Sequence, residues 1–476
     1  MKRTKIVCTL GPTSETKQII KTLIKNGMNV ARLNFSHNVH EYHLKVIKNI
    51  REAAKESKAT VAILQDLQGP RIRLGDLPEA GIQLVKGKEV ILTTSKKAGE
   101  NKIPVTYENM HLDVEPNQRI LIADGLIEVV IKEVKGRDVY CIVKNGGLVT
   151  SHKGMNLPDT NVTVPSLSEK DKEDLFFGIK NKVDFVALSF VRSAKEVYDL
   201  KYLIKKYSQQ LKLDSPHEIK IIVKVERMEA IKNLDEIIEA TDGVMVARGD
   251  LGIELPAEDV PLIQKMIIDK CLQAAKPVIV ATQMLDSMIN NPRPTRAEVS
   301  DVANAVIDHT DAVMLSGETA NGKFPAETVD VMAKIINKTE ASTYDDIVLQ
   351  DKLKKIISTG EAVSSIAKML ANHLDAKLIL VASLSGDSAR IVCRYRPELP
   401  MLVACDDERI QRQLMLSWGI IPFILPHCES LEELIDRSIG FIKKKKFAKK
   451  EETIIIIAGE PVGVSGNVNL VEIKEI

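Results

Sequence analysis

The chain of 476 residues is long enough for several domains, each with its own core. Its 66 Lys and Arg residues and 65 Asp and Glu residues give a formal net charge of +1, which offers no electrostatic support for nucleic acid or a membrane surface as a partner. The six cysteines form no CxxC pair, which is typical of reduced thiols in a cytoplasmic protein, and no apolar run approaches the ~20 residues of a membrane span.

The first 69 residues alternate strand and helix patterns. RTKIVCT, MNVARLN and TVAILQD predict strands, and helices are predicted from Ser14 to about Asn26 and from about His40 to Glu56. From residue 70 to 163 the pattern changes to short β runs separated by turns, which predicts a β-rich domain inserted into the α/β part.

Strand and helix patterns alternate again after residue 163. Ser168 is a predicted N-cap, Ser193 and Glu196 are a predicted capping box, and a further helix is predicted from about Met228 to Ala240. Strand patterns number three before the insertion and five after it, as a (β/α)8 barrel requires.

The predicted fold is therefore an α/β (β/α)8 TIM barrel with an inserted β-rich lid domain and a C-terminal α/β sheet domain. The barrel is predicted to comprise residues 1–69 and 164–343, which together have the ~250 residues usual for this fold. The lid is predicted at 70–163 and the C-terminal domain at 344–476.

Active sites of such barrels lie at the carboxyl ends of the strands. Side chains two apart in a strand point the same way, so Lys224 and Glu226 leave IKIIVKVE on one side, and Asp250 follows the next strand. A cation beside carboxylates suits chemistry that creates negative charge on oxygen, and Mg²⁺ is typically held by one or two carboxylates plus substrate phosphate oxygens. The polar residues at the other strand ends are Arg32, Asn34, Ser36, His37, Asp66, Ser189, Thr282, Gln283, Ser316, Glu318 and Thr319.

Each of these residues alone also has a structural explanation. Lys224 and Glu226 fit a strand-end ion pair, Asp250 fits a turn, Thr282 fits the cap of a following helix, and His37 fits a loop histidine. Their joint occurrence at strand ends that converge in a barrel favours an active site.

The chain resembles the pyruvate kinase family over almost its whole length. The resemblance rests on segments that include ARLNFSH (31–37), DLQGPRIRLG (66–75), IIVKVE (221–226), MVARGDLGIELP (245–256) and NPRPTRAEVSDVANAV (291–306). It implies the last step of glycolysis, the transfer of a phosphoryl group from phosphoenolpyruvate to ADP, which gives pyruvate and ATP. The alternatives are another TIM-barrel enzyme of phosphoenolpyruvate or pyruvate, such as a mutase or lyase, and a non-catalytic regulatory homologue.

The resemblance also implies roles for individual residues. Lys224, Arg32 and Thr282 correspond to catalytic residues, with Lys224 stabilising charge on the bridging and enolate oxygens. Substrate contacts are implied for Arg32, Ser189, Lys224, Gly249, Asp250 and Thr282. Nucleotide contacts are implied for Asn34, Phe35, Ser36, His37, Arg73 and Lys153. Glu226 and Asp250 correspond to ligands of Mg²⁺ or Mn²⁺, and the family is usually a homotetramer.

Two segments depart from patterns known in the family. Asn34, Ser36, Asp66 and the carbonyl of Leu67 correspond to its monovalent-cation site, but Arg71 replaces an acidic residue of members that require K⁺. A fixed guanidinium can replace the charge of K⁺, so we expect that K⁺ is not required.

The second departure lies in the segment 383–389, at the position of the family's effector loop. It has Asp387 where members activated by fructose 1,6-bisphosphate often have a basic residue or hydroxyls. We therefore expect no activation by the bisphosphate, and either a monophosphate effector such as AMP or none.

Overall fold

The computed structural model of the protein describes residues 2–95, 101–213, 219–345, 358–383, 385–426, 428–459 and 468–476. Within these residues, eight parallel strands close into a barrel, a β-rich lid follows the third strand, and an α/β domain follows the barrel. The predicted fold class is confirmed. Among the same residues, no helix has the length and apolar character needed to cross a bilayer.

The barrel begins with β1 (Lys5–Thr9), α1 (Lys17–Asn26), β2 (Val30–Asn34), α2 (His40–Glu56) and β3 (Ala62–Asp66). Helix α1 begins after Thr16, whose side chain accepts a hydrogen bond from Ile19 N, and not at Ser14 as predicted. Ser14 is buried, and its Oγ accepts from Gly11 N instead.

The lid is built from mostly antiparallel strands with a separate core. Its elements are β4 (Ile82–Leu84), β5 (Glu89–Thr93), β6 (Lys102–Pro104), α3 (Met110–Asp113), β7 (Arg119–Ile122), β8 (Ile127–Lys135), β9 (Asp138–Asn145), β10 (Gly147–Val149) and β11 (Met155–Asn156). Its larger sheet has the order β11-β7-β8-β9-β5-β6, and β10 pairs with β4. Leu92, Ile120 and Val129 are central to its buried cluster.

The barrel resumes after the lid. Its elements are α4 (Glu169–Lys180), β12 (Phe185–Leu188), α5 (Ala194–Gln210), β13 (Lys220–Val225), α6 (Met228–Lys232), α7 (Leu234–Ala240), β14 (Gly243–Ala247), α8 (Arg248–Glu254), α9 (Val260–Gln273), β15 (Val278–Ala281), α10 (Arg296–Ile307), β16 (Ala312–Leu315), α11 (Gly317–Ala320) and α12 (Pro325–Glu340). The strands close in the order β1-β16-β15-β14-β13-β12-β3-β2.

Two local predictions in this part were wrong. Ser193 precedes α5 but makes no side-chain cap, because the Glu196 carboxylate accepts from the backbone and guanidinium of Arg192 instead. The single helix predicted from Met228 to Ala240 is interrupted at Asn233 and forms α6 and α7. The predicted N-cap Ser168 is confirmed, and it forms a capping box with Asp171.

Alternate residues of the barrel strands face two different cores. Val7, Leu64 and Ile222 lie in the cluster inside the barrel, whereas Ile6 and Cys8 pack in the larger cluster that includes the surrounding helices. This alternation follows from strand geometry, in which successive side chains point to opposite faces.

The C-terminal domain is a sheet with helices. Its elements are α13 (Thr359–His373), β17 (Ile379–Ala382), α14 (Asp387–Cys393), β18 (Met401–Cys405), α15 (Glu408–Gln413), β19 (Ile420–Ile424), α16 (Leu431–Lys445), β20 (Thr453–Ala458) and β21 (Leu470–Glu475). The strand order is β19-β18-β17-β20-β21, and β21 is antiparallel. Leu416 of this domain joins the cluster inside the barrel, which shows that the domain packs against the barrel floor. All six cysteines of the chain are buried as free thiols.

Candidate active site

A buried lysine links three strand ends at the mouth of the barrel. Lys224 Nζ lies 2.7 Å from Glu226 Oε1 and 3.5 Å from Asp66 Oδ1, and it donates a hydrogen bond of 2.9 Å to Ser189 Oγ. Burial opposes the charge on Lys224, but Asp66 and Glu226 outweigh it and raise the pKa of the ammonium group above its usual value. The lysine is therefore a fixed positive charge at neutral pH.

Arg32 shares the Asp66 carboxylate with Lys224. Its Nε donates to Asp66 Oδ2 over 2.7 Å, and its NH1 donates to Thr9 Oγ1 over 2.8 Å. Burial alone would favour neutral Asp66, but Lys224 and Arg32 keep its pKa below the usual range. One carboxylate thus holds two cations close together, an arrangement suited to an anionic ligand.

Glu226 and Asp250 present two carboxylates beside these cations. Glu226 Oε2 accepts from Phe190 N over 2.6 Å, and its buried Oε1 lies 2.7 Å from Lys224 Nζ. Burial and Asp250 raise the pKa of Glu226 to about 7 against the opposing effect of Lys224. A buried carboxylate close to a second carboxylate suits a divalent cation.

Asp250 lies in the first turn of α8 and not in an irregular turn. The amide of its neighbour Gly249 donates to Thr282 Oγ1 over 2.8 Å, so Thr282 binds α8 rather than capping a following helix. Thr282 has a φ of +68°, in the left-handed region that is costly for a β-branched residue.

Arg248 positions this part of the site, although it is not among the site residues predicted from the sequence. Its guanidinium donates to Thr282 O and Asp301 Oδ1, each over 2.7 Å, and so joins α8, the end of β15 and α10. The only sequence signal was its place beside Gly249 and Asp250.

The loop after β2 does not continue the strand. The strand ends at Asn34, whose Oδ1 accepts from Ser36 N over 3.1 Å, so Ser36 does not extend the line of Arg32 and Asn34 as an extended strand would. The Phe35 ring is buried and stacks on His43, so the ring itself is not available to a ligand. His37 is exposed.

The lid supplies further cations. Arg73 NH1 donates to His152 O over 2.9 Å, and Lys153 is exposed. Arg71 NH2 lies 3.7 Å from Asp124 Oδ1, an ion pair within the lid, and Arg71 also lines a cleft that includes Asp250.

The residues of the expected monovalent-cation site already have partners. Asn34 is in register with Asp66, and the carbonyl of Leu67 accepts from Ser189 Oγ over 2.8 Å. The Asp66 carboxylate is neutralised by Arg32 and Lys224, which lowers the electrostatic need for another cation.

Two polar residues at the end of β16 have structural contacts instead. Glu318 accepts from Ser316 N and Leu285 N, and Thr319 Oγ1 donates to Thr9 O. These bonds connect the loops after neighbouring strands.

Comparisons with known proteins agree over the length of the chain. The family model "Pyruvate kinase, barrel domain" matches residues 1–329, and "Pyruvate kinase, alpha/beta domain" matches residues 361–474. A pyruvate kinase of Geobacillus stearothermophilus is 44% identical over 479 residues, which cover 100% of this chain and 80% of that protein. A pyruvate kinase of Clostridium acetobutylicum is 40% identical over 477 residues, which cover 100% of this chain and 99% of that protein.

The fold agrees as well. A crystal structure of a pyruvate kinase from Cryptosporidium parvum matches with a TM-score of 0.93 and 38% identity, and the match covers 100% of this chain and 96% of that chain. Because both domain models match and the relatives align over its full length, the chain belongs to the pyruvate kinase family.

Proposed function

We propose that this chain transfers the phosphoryl group of phosphoenolpyruvate to ADP at the mouth of the barrel, giving pyruvate and ATP. The observation that carries the proposal is the buried pair of cations, Lys224 and Arg32, around Asp66, with Glu226 beside them. Phosphoryl transfer depends on positioning and charge neutralisation rather than on covalent chemistry by the protein, and this cluster supplies both.

Each residue has a role that follows from its chemistry. Arg32 and Lys224 bind the phosphoryl group, and Lys224 stabilises the enolate oxygen as its bond to phosphorus breaks. Ser189 orients the lysine through their 2.9 Å hydrogen bond. Gly249 and Asp250 contact the substrate at the start of α8, and Thr282 lies near the carbon that is then protonated.

Glu226 and Asp250 would hold Mg²⁺ or Mn²⁺. When bound there, the divalent ion supplies positive charge to the oxygens of the substrate. The fit is supported by the burial of Glu226 and by the proximity of Asp250, both of which raise the Glu226 pKa. The described residues contain no cluster of three or more His, Cys, Asp or Glu side chains able to hold a metal, so substrate oxygens would complete the coordination.

The nucleotide would bind between the lid and the loop after β2. Arg73 and Lys153 supply positive charge from the lid, and residues 34–37 supply the loop. Arg32 and Lys224 neutralise Asp66, which supports activity without K⁺. The corresponding monovalent-cation site would comprise Asn34, Ser36, Asp66 and Leu67.

Three broader features complete the proposal. The barrel comprises residues 1–69 and 164–343, the lid comprises 70–163, and the C-terminal domain comprises 344–476. The separate hydrophobic clusters of the three domains support these limits. A cytoplasmic location is supported by the six free, buried thiols. A homotetramer follows from family membership, and light scattering after size-exclusion chromatography tests it.

A coupled assay of pyruvate formation from phosphoenolpyruvate, with and without ADP, tests the activity. We expect turnover that requires both ADP and a divalent cation. Turnover without ADP would favour a mutase or lyase, and no turnover under any condition would favour a regulatory homologue.

A further inference from the structure

Helix α4 holds the loop that carries the proposed nucleotide contacts. Lys170 Nζ donates to the carbonyl of Phe35 over 2.6 Å, and the same ammonium pairs with Asp174 Oδ2 over 2.6 Å. The loop is thus attached to a neighbouring helix at the first residue after β2.

The far end of the loop is attached to the same carboxylate. His40, the first residue of α2, donates from Nε2 to Asp174 Oδ1 over 2.7 Å. Asp174 is only 3% exposed, so each of its two oxygens serves one end of the loop away from bulk water.

Ring contacts fix the loop between these two ends. The Phe35 ring stacks on His43 with centroids 3.9 Å apart, and the His40 ring stacks on Phe177 of α4 at 4.4 Å. His43 Nε2 also donates to the carbonyl of His37 over 2.9 Å. The carbonyls of Phe35 and His37 are therefore held by side chains of α4 and α2.

We propose that Asp174, acting through Lys170 and His40, is a positioning residue for the nucleotide and not for phosphoenolpyruvate. The inference rests on the proposed function, because that function places the nucleotide at residues 34–37. Its specificity follows from the geometry: the contacts that hold Arg32 and Lys224 run through Asp66, Thr9, Ser189 and Glu226, and none involves Asp174.

Steady-state kinetics of matched variants test the proposal. Asp174→Asn and Lys170→Met are expected to raise the KM for ADP about tenfold, because a charge-assisted hydrogen bond that orders the loop is lost. The KM for phosphoenolpyruvate and kcat should stay within about twofold of the parent. Lys170→Arg should restore the parent KM for ADP, because a guanidinium can donate to both oxygens.

Lys172→Met is the control, since Lys172 lies on the same helix and pairs with exposed Glu169. If Asp174→Asn fails to fold, Lys170→Met decides the matter, because the Lys170 side chain is 47% exposed and Asp174 keeps His40. A merely structural role would lower the unfolding midpoint and shift both KM values and kcat together.

Calorimetric titration with ADP separates this inference from the proposed function, because it needs no turnover. If the parent shows no activity with phosphoenolpyruvate and Lys170→Met binds ADP more weakly than the parent, the inference is supported and the proposed function is contradicted. An active parent whose ADP affinity is unchanged by both Lys170→Met and Asp174→Asn would overturn the inference alone.

Discussion

At the scale of single residues, Asp66 allows two cations to lie together in a buried site. Arg32 and Lys224 would repel each other in a medium of low dielectric, and the carboxylate between them offsets that repulsion. Removing one partner of such a buried group leaves an uncompensated charge, so each member is sensitive to substitution.

Lys224→Met is expected to abolish phosphoryl transfer while the protein still folds. Loss of a group that stabilises charge in the transition state typically costs about 10²-fold or more in kcat. Lys220→Met is the matched control, because Lys220 lies at the other end of β13 and pairs with Asp242 at 3.1 Å. A Lys224→Met variant with turnover within about tenfold of the parent would remove this residue from the catalytic set.

Arg71 is expected to make activity independent of K⁺. A fixed guanidinium close to the substrate makes a second cation there unfavourable by about 1–4 kcal/mol. Activity in tetramethylammonium buffer should equal activity with K⁺ at the same ionic strength, and Arg71→Glu should create K⁺ dependence.

The ion pair with Asp124, at 3.7 Å, is the competing role for Arg71. Asp124→Asn removes that pair without changing Arg71, and it should leave the K⁺ response unchanged. A parent enzyme that stays nearly inactive until K⁺ is added would rule the idea out.

At the scale of elements, the loops after two barrel strands are strained. Phe190 after β12 and Thr282 and Gln283 after β15 have φ values of +57°, +68° and +54°. Such conformations cost free energy and persist where the surrounding structure requires them. Here they direct Phe190 N towards Glu226 and Thr282 Oγ1 towards Gly249 N.

Gly69, where the chain leaves β3 for the lid, is expected to tolerate no side chain. Its φ is +69°, and a Cβ would lie 2.9 Å from Ser189 Cβ and 3.0 Å from the Phe190 ring. Gly69→Ala should displace Ser189, the partner of Lys224, and lower kcat with a loss of about 1–3 kcal/mol of stability.

Gly87→Ala is the matched control for that substitution. Gly87 has a φ of +81° with nothing within 4 Å of its Cβ position, so it carries the backbone strain without the clash. It should lose about 1 kcal/mol of stability and keep full activity. Equal kcat values for the two variants would show that the contact with Ser189 does not matter for catalysis.

The segment at the start of α14 is expected to reject fructose 1,6-bisphosphate. Asp387 accepts from Ser385 Oγ over 2.8 Å and pairs with Arg390 at 2.9 Å, while Leu384 lies outside the described residues. The Asp387 carboxylate already binds the Ser385 hydroxyl and the Arg390 guanidinium, which a phosphate group would otherwise use. Activity at subsaturating phosphoenolpyruvate should not change with the bisphosphate, and a leftward shift of the substrate curve would contradict this.

At the scale of the whole molecule, buried charges join the barrel floor to the C-terminal domain. Arg412 Nε donates to Asp184 Oδ1 over 2.7 Å, and Lys5 Nζ donates to the carbonyl of Ile420 over 2.7 Å. Lys5 is 5% exposed, and burial lowers its pKa to about 8 despite nearby negative groups.

This depressed pKa predicts a dependence of stability on pH. Below pH 8 Lys5 is charged in both states, and the cost of burying it is constant. Between about 8 and the ordinary value of 10.5 the folded state loses the proton first, so the free energy of unfolding rises with pH. Unfolding midpoints of the parent relative to Lys5→Met should therefore increase across that range.

Lys334→Met provides the control, because Lys334 pairs with Asp330 on the exposed surface of α12. The difference in unfolding midpoint between the parent and Lys334→Met should not change in this way with pH. If the difference in unfolding midpoint between the parent and Lys5→Met is constant from pH 8 to 10.5, the lowered pKa of the buried Lys5 ammonium group is contradicted.

The order of elements and the side of the barrel on which the site lies follow from local sequence patterns. Strand and helix periods are local, so β13 and the common direction of Lys224 and Glu226 could be derived from neighbouring residues alone. Helix caps follow less directly from the sequence, because a capping side chain has competing partners close by. Glu196 bonds Arg192, the residue before Ser193, instead of completing the predicted capping box.

Which side chains meet at the strand ends depends on contacts between distant parts of the chain. The shared Asp66 carboxylate, the Ser189–Lys224 hydrogen bond and the attachment of Phe35 to Lys170 join residues that are far apart in the chain. Likewise, nothing local in the sequence places Leu416 in the barrel floor. A side chain's direction follows from its own strand, whereas its partner depends on how the barrel closes and which element packs against it.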